Sequence, residues 1–256
     1  VFMSKTRERN LPTAIIALFI FVQLIGSGFA QNGWQKQVTL DVHLNAIQMI
    51  ENGEGELVGY AAGNRNYVAK LTNSGSVWTP VPPPDSAFVF YGLHFLTSEL
   101  GWVVGSKGAI YQTTNGGPSW EDRTRDAARG TKYTNDVLLA CAFYPGSGSA
   151  LIGWVSGSAG SILKTLNGGE RWTADDLDRV TGEMVPPPTN SLSLIGREIG
   201  YAVGRTGQIY RTDTIQRNWD PESSNTSNSL NSVSLVDPQT AWIAGENGEI
   251  LFSSSL

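Results

Sequence analysis

Few side chains in this sequence are arranged to make or break a bond. There are two histidines, His43 and His94, and a single cysteine, Cys141. No H-E-x-x-H or C-x-x-C spacing gathers metal ligands, and no G-x-S-x-G turn lifts a serine into a nucleophile's position. Cys141 lies in the apolar run DVLLACAFY and reads as a small buried hydrophobe. His94 falls in an inner strand and reads as a structural histidine. The acids Asp175, Asp176 and Asp178 cluster, but without the spacing and glycine of a calcium loop. The chain is therefore expected to be non-enzymatic, with no metal and no cofactor. What remains is the chemistry of recognition. Arg65, Lys107 and Arg205 stand in short glycine-bounded turns, and Arg123 and Arg125 open the longest basic loop, followed by Arg129 and Lys132. Such cations can receive the carboxylates of an acidic protein segment, although Glu121, Asp122 and Asp126 are interleaved among them.

Composition narrows the class of partner. The net charge is −5, so a general affinity for nucleic acid, which needs a basic face, is not expected. The 29 glycines and 8 tryptophans, with few charges, argue for many short strands and turns rather than a helical bundle. Residues 1–30 read as a signal peptide: a basic start, an apolar stretch too short to span a bilayer, and Gly28 and Ala30 before a cleavage point. They contain no cysteine to carry a lipid. An exported protein is expected, periplasmic or extracellular, with no stable membrane span after cleavage and acting as a monomer.

The cations are positioned by a repeat. The stretch GWVVGSKGAIYQTTNGGPSW, residues 101–120, has counterparts beginning near Val58, Ile152, Ile199 and Thr240. The aromatic anchors Tyr60, Trp102, Trp154, Tyr201 and Trp242 stand 42, 52, 47 and 41 residues apart. Apolar residues alternate instead of following helical spacing, which assigns the period to four-stranded β-propeller blades. The expected fold is all-β, with blades at about 41–80, 87–122, 135–176, 190–220 and 230–256 within a domain 31–256. The G-x-x-G turn joins the second and third strands, and its glycines are expected where φ is positive. Trp34 to Leu40 is expected to supply the outer strand of the last blade, with segment 33–40 closing a five-bladed ring; the alternative is that these blades are part of a larger propeller.

The turn between strands three and four is more specific. Thr113, Asn115, Gly117 and Trp120 recur as Thr165, Asn167, Gly169 and Trp172, and partially as Asn73, Gly75 and Trp78. An Asn side chain can accept hydrogen bonds from its own turn, glycine permits the bend, and tryptophan buries its face between strands. The fourth copy, from Thr212 to Trp219, has one residue too many and no glycine. These turns resemble Asp-boxes, first associated with bacterial sialidases. With G-W/Y-x-x-G upstream, the unit resembles the β-propeller family of the photosystem II assembly and stability factor, across about Gly33 to Leu256. The resemblance implies a scaffold that binds a protein partner, possible partners including a membrane-protein assembly intermediate, with a thylakoid-lumen location in a photosynthetic source. The alternative is a sialidase-like, carbohydrate-active or carbohydrate-binding propeller, or a repeat module of a larger surface protein; the arginine triad and Tyr/Glu pair of sialidases have no evident counterpart here.

Overall fold

The computed structural model describes residues 38–71, 77–84, 87–146, 150–174, 189–195, 199–212 and 219–254. The expected signal peptide, Trp34, Asn73, Gly75 and the Asp175, Asp176 and Asp178 cluster lie outside them. Among the described residues the chain is all-β and forms five antiparallel meanders in succession. The first blade is β1 (Leu44–Glu51), β2 (Leu57–Gly63), β3 (Val68–Leu71) and β4 (Trp78–Pro80). The second is β5 (Phe90–Phe95), β6 (Gly101–Gly105), β7 (Ile110–Thr113) and β8 (Glu121–Asp122). The third is β9 (Leu138–Pro145), β10 (Leu151–Gly157), β11 (Ile162–Thr165) and β12 (Thr173–Ala174). The fourth is β13 (Thr189–Ile195), β14 (Ile199–Gly204), β15 (Ile209–Thr212) and β16 (Asp220–Glu222). The fifth has three strands among the described residues: β17 (Leu230–Asp237), β18 (Thr240–Gly245) and β19 (Ile250–Ser253). Of the segment expected to complete it, residues 38–40 form no strand, and Val38 packs against the first blade's cluster of Ala61, Ala69, Leu71 and Trp78.

Alternation along each strand gives a blade two apolar faces. The forward face meets the next blade and the back face meets the previous one. Tyr60 faces forward and stacks on Phe95 at 3.5 Å, and Trp102 stacks on Phe143 at 3.7 Å. Trp154 meets Trp219 edge-on at 6.3 Å. These aromatic anchors are fully or almost fully buried, and Tyr201 joins them in the cluster between the fourth and fifth blades. Each buried ring of this size stabilises by roughly 3 kcal/mol. The core is thus a series of blade junctions rather than one central mass.

First strands are also tied to one another through polar side chains. The Gln48 amide donates to Phe95 O at 3.0 Å and accepts from Phe95 N at 2.7 Å. Asn45 donates to Phe90 O, and Asn190 to Leu230 O. Ser191 and Ser193 accept from Val233 N and Leu235 N. These contacts satisfy main-chain groups on the strand edge that no sheet partner reaches.

Connections sort onto two rims. The turns between second and third strands bond the segments that enter each blade, as in Asn64 N to His43 O, Ser106 N to Val89 O and Glu246 N to Ser229 O. The turns after the third strands bond the opposite ends of the sheets, through Gly116 N to Glu99 O and Gly168 N to Leu151 O.

The G-x-x-G turns correct one expectation. Their first glycines are extended, with φ of −171° at Gly105 and −155° at Gly204. Gly105 is required by close approach, because a Cβ there would lie 2.1 Å from Val89 O. The left-handed conformation falls on the third and fourth positions, Lys107 and Gly108 in the second blade and Thr206 and Gly207 in the fourth, so the second glycine meets the expectation and the first does not.

Candidate functional site

The rim bearing the blade connections carries the cations. Arg65 and Lys107 occupy the left-handed third positions of their turns, with φ of 55° and 58°, so each side chain leaves the tip of its blade. Arg205 stands one position earlier in the fourth blade's turn. All three are exposed. The third blade has Ser158 and Ala159 at the matching places, and the fifth has Glu246 and Asn247. Positive charge is therefore carried by the first, second and fourth tips, and the fifth is acidic.

The basic loop folds beside the second tip. Its turn is held by Asp126, whose carboxylate accepts from Ala128 N and Arg129 N at 2.9 Å each. Arg125 is exposed and donates to Gly130 O at 3.0 Å. Lys132 donates to Lys107 O at 2.8 Å, which brings the loop and the second tip together. Arg123 behaves differently. It bonds Gln112 Oε1 at 2.9 Å and pairs with Glu121, so it is partly buried against the second blade's outer strands. Arg65 has a looser partner in Asp41 at 3.6 Å, and both side chains are well exposed. An exposed pair of this kind is worth under about 1 kcal/mol and gives way readily to a better carboxylate.

A carboxylate already occupies the matching turn of the third blade. Asp136 accepts from Ala159 N at 3.0 Å, Ser161 N at 3.2 Å and the Ser158 hydroxyl at 3.2 Å. Asp136 ties the incoming connection to the turn, a role the sequence reading did not assign. Its signal was an Asp two residues before a first strand, too common to stand out.

The opposite rim holds the Asp-box turns. Thr113 Oγ1 donates to Asn115 Oδ1 at 3.0 Å and accepts from Gly117 N at 2.9 Å, and Asn115 Oδ1 accepts from Ser119 N at 3.0 Å. The third blade repeats this with Thr165, Asn167 and Gly169, at 2.9, 2.8 and 3.0 Å, the last from Arg171 N. Trp120 and Trp172 close the two turns, both buried, and Trp120 Nε1 donates to Val81 O at 2.8 Å. Trp78 is buried in the first blade. These groups are consumed by the turn and the core.

Among the described residues no group of three or more His, Cys, Asp or Glu could hold a metal ion. Burial pushes the Cys141 thiol well up, so it is a poor thiolate. Burial lowers His94 to about 4, keeping the ring neutral, and its Nδ1 is buried without a hydrogen-bond partner. Burial also raises Tyr60 and Tyr201. No helix among the described residues is long and apolar enough to cross a membrane.

Comparison with known proteins agrees with this picture. Residues 70–244 match the family model described as photosynthesis system II assembly factor YCF48. The photosystem II assembly lipoprotein Ycf48 of Synechococcus sp. (strain CC9902) is 25% identical over 149 residues, covering 58% of this chain and 41% of that protein. Its namesake from Picosynechococcus sp. (strain ATCC 27264 / PCC 7002 / PR-6) is 29% identical over 190 residues, covering 60% and 54%. The chain thus spans about half the length of these curated relatives. Among solved structures, YCF48 from Cyanidioschyzon merolae superposes with a TM-score of 0.59 at 20% identity, covering 86% of this chain and 70% of that one. A structure described as YCF48 bound to D1 peptide gives 0.57 at 16% identity, covering 89% and 83%. At these identities the structures speak for the fold, whereas the family model covers most of the sequence: the chain belongs to the family of the photosystem II assembly factor YCF48.

Proposed function

We propose that this chain is a non-enzymatic, exported β-propeller that binds a protein partner during photosystem II assembly, through the rim bearing Arg65, Lys107, Arg125 and Arg205. The observation that carries the reading is the placement of exposed cations on repeated turn tips of a rigid scaffold, all on one rim. Relatives are named assembly factors, and one similar structure is described as bound to a D1 peptide. Arg123, turned to Glu121 and Gln112, contributes less. As an exported protein it would act in the periplasm or outside the cell or, in a photosynthetic source, in the thylakoid lumen.

The test is capture of a synthetic D1 peptide by the purified protein. Replacing Arg65, Lys107 and Arg205 together by Glu is expected to weaken capture at least tenfold with the thermal midpoint unchanged, because all three side chains are exposed. Wild-type capture should also fall steeply as salt rises. Unchanged capture by the triple variant would refute the basic-rim assignment.

A further inference from the structure

The Asp-box turns reach beyond their own blades. Each is tied to its own sheet by the amide of its first glycine: Gly116 N donates to Glu99 O at 2.8 Å, and Gly168 N to Leu151 O at 2.7 Å. The carbonyl of the same glycine serves the preceding blade. Trp102, the anchor of the second blade, donates from Nε1 to Gly168 O at 2.9 Å, and both groups are buried. Tyr60, the anchor of the first blade, shares its hydroxyl proton between Ser98 O at 2.7 Å and Gly116 O at 3.3 Å. Lys70, which pairs with Tyr60 across β2 and β3, also donates to Ser98 O at 3.3 Å.

This arrangement accounts for two choices of residue. The anchor is tyrosine or tryptophan in all five repeats and never phenylalanine. Phenylalanine is at home in the same junctions, as Phe95 and Phe143 show by stacking on Tyr60 and Trp102. What phenylalanine lacks is a donor at the far end of the ring. The first glycine of the box is fixed by close approach as well as by its φ of 72° at Gly116 and 70° at Gly168. A Cβ on Gly116 would lie 2.5 Å from Ser98 O and 2.9 Å from the Tyr60 hydroxyl.

We infer that the Asp-box is a latch between blades. Its Thr and Asn side chains hold the turn, and the turn presents the carbonyl of its first glycine to the anchor of the blade before. A motif that reads as local thereby sets the register of a junction. The second junction depends on it most. There His94 stands where Gln48 clamps the first junction, with its Nδ1 unpartnered. The fourth junction is held differently: Tyr201 gives its hydroxyl proton to Glu222 of its own blade at 3.3 Å, and the row Asn190, Ser191 and Ser193 bonds the fifth blade. The latch goes beyond the partner-binding reading and does not depend on it.

The test compares two exposed box residues, Asn167→Ala and Asn115→Ala, which remove the same turn bonds from the third and second blades. The readout is exchange of the Trp102 indole proton, followed by NMR. Asn167→Ala is expected to speed it by about tenfold, whereas Asn115→Ala, in the blade that Trp102 itself belongs to, should leave it within about twofold of wild type. Thr165→Val, which removes the hydroxyl of the same third-blade box, is the second variant and should act as Asn167→Ala does. In denaturant unfolding, Asn167→Ala should cost about fivefold less in the unfolding constant when Trp102→Phe is already present, and Asn115→Ala should simply add to it. Acceleration by Asn115→Ala as large as by Asn167→Ala, or none from either third-blade variant, would overturn the latch. Strict additivity of Trp102→Phe with Asn167→Ala would overturn it too.

Discussion

His94 and Gln48 occupy equivalent places in successive first strands, paired with Trp102 and Tyr60. Gln48 clamps the next strand through both ends of its amide. His94 instead stacks near Phe143 at 6.1 Å with Nδ1 unsatisfied. Its folded-state value of about 4 lies below the unfolded value of about 6.5, so the fold favours the neutral ring. The unfolded chain takes up the proton first. The stability this group contributes is therefore complete above about pH 6.5, declines as pH falls below it, and is spent near pH 4, a loss of about 3 kcal/mol. His94→Gln should lose less stability than wild type between pH 7 and 4.5 in denaturant titrations. It should also gain the amide clamp, which would appear as a higher midpoint already at pH 7. Identical pH profiles for the two proteins would show that protonation of His94 is not resisted by the fold.

At the scale of the element, the turn between second and third strands joins two demands, space beside a carbonyl and a left-handed backbone. At Gly105 the demand is space beside Val89 O, and Gly105→Ala should cost several kcal/mol although φ is ordinary there. At the third position the demand is a left-handed backbone, and in the fourth blade a β-branched residue meets it, Thr206 with φ of 56°. Thr206→Gly should therefore stabilise by about 1 kcal/mol, read as a rise in thermal midpoint. A fall would mean that the Thr206 hydroxyl bond to Arg205 O outweighs the strain. The contrast explains what was legible in the sequence. The Asp-box turns are closed by bonds spanning four residues, as Asn115 to Ser119, so spacing alone revealed them. The clamp of Gln48 joins residues 47 apart and the Asp136 anchor residues 23 apart, and neither leaves a local pattern. The expected basic loop was visible as composition, but the turning of Arg123 toward Gln112 depends on β7 and β8 lying side by side.

At the scale of the molecule, the two rims divide the work. One rim uses its Thr and Asn side chains and its backbone amides internally, so substitutions there act on stability. The other offers charged tips whose removal leaves the sheets intact, which is why triple reversal of Arg65, Lys107 and Arg205 is expected to separate binding from folding. The net charge of −5 sharpens the role of that rim: long-range attraction to an acidic partner cannot come from the whole protein and must arise locally, within a Debye length of about 10 Å.

The junctions built from Gln48, Asn45, Asn190 and the stacked anchors also make the array one-dimensional in its energetics. Among the described residues the second, third and fourth blades are braced on both flanks. Amide hydrogen exchange should then be slowest in β10 of the third blade, whose neighbours on both sides must loosen before it opens. The tips of the second and fourth blades flank this slowest unit, so the rim proposed to bind a partner would keep its shape as temperature rises.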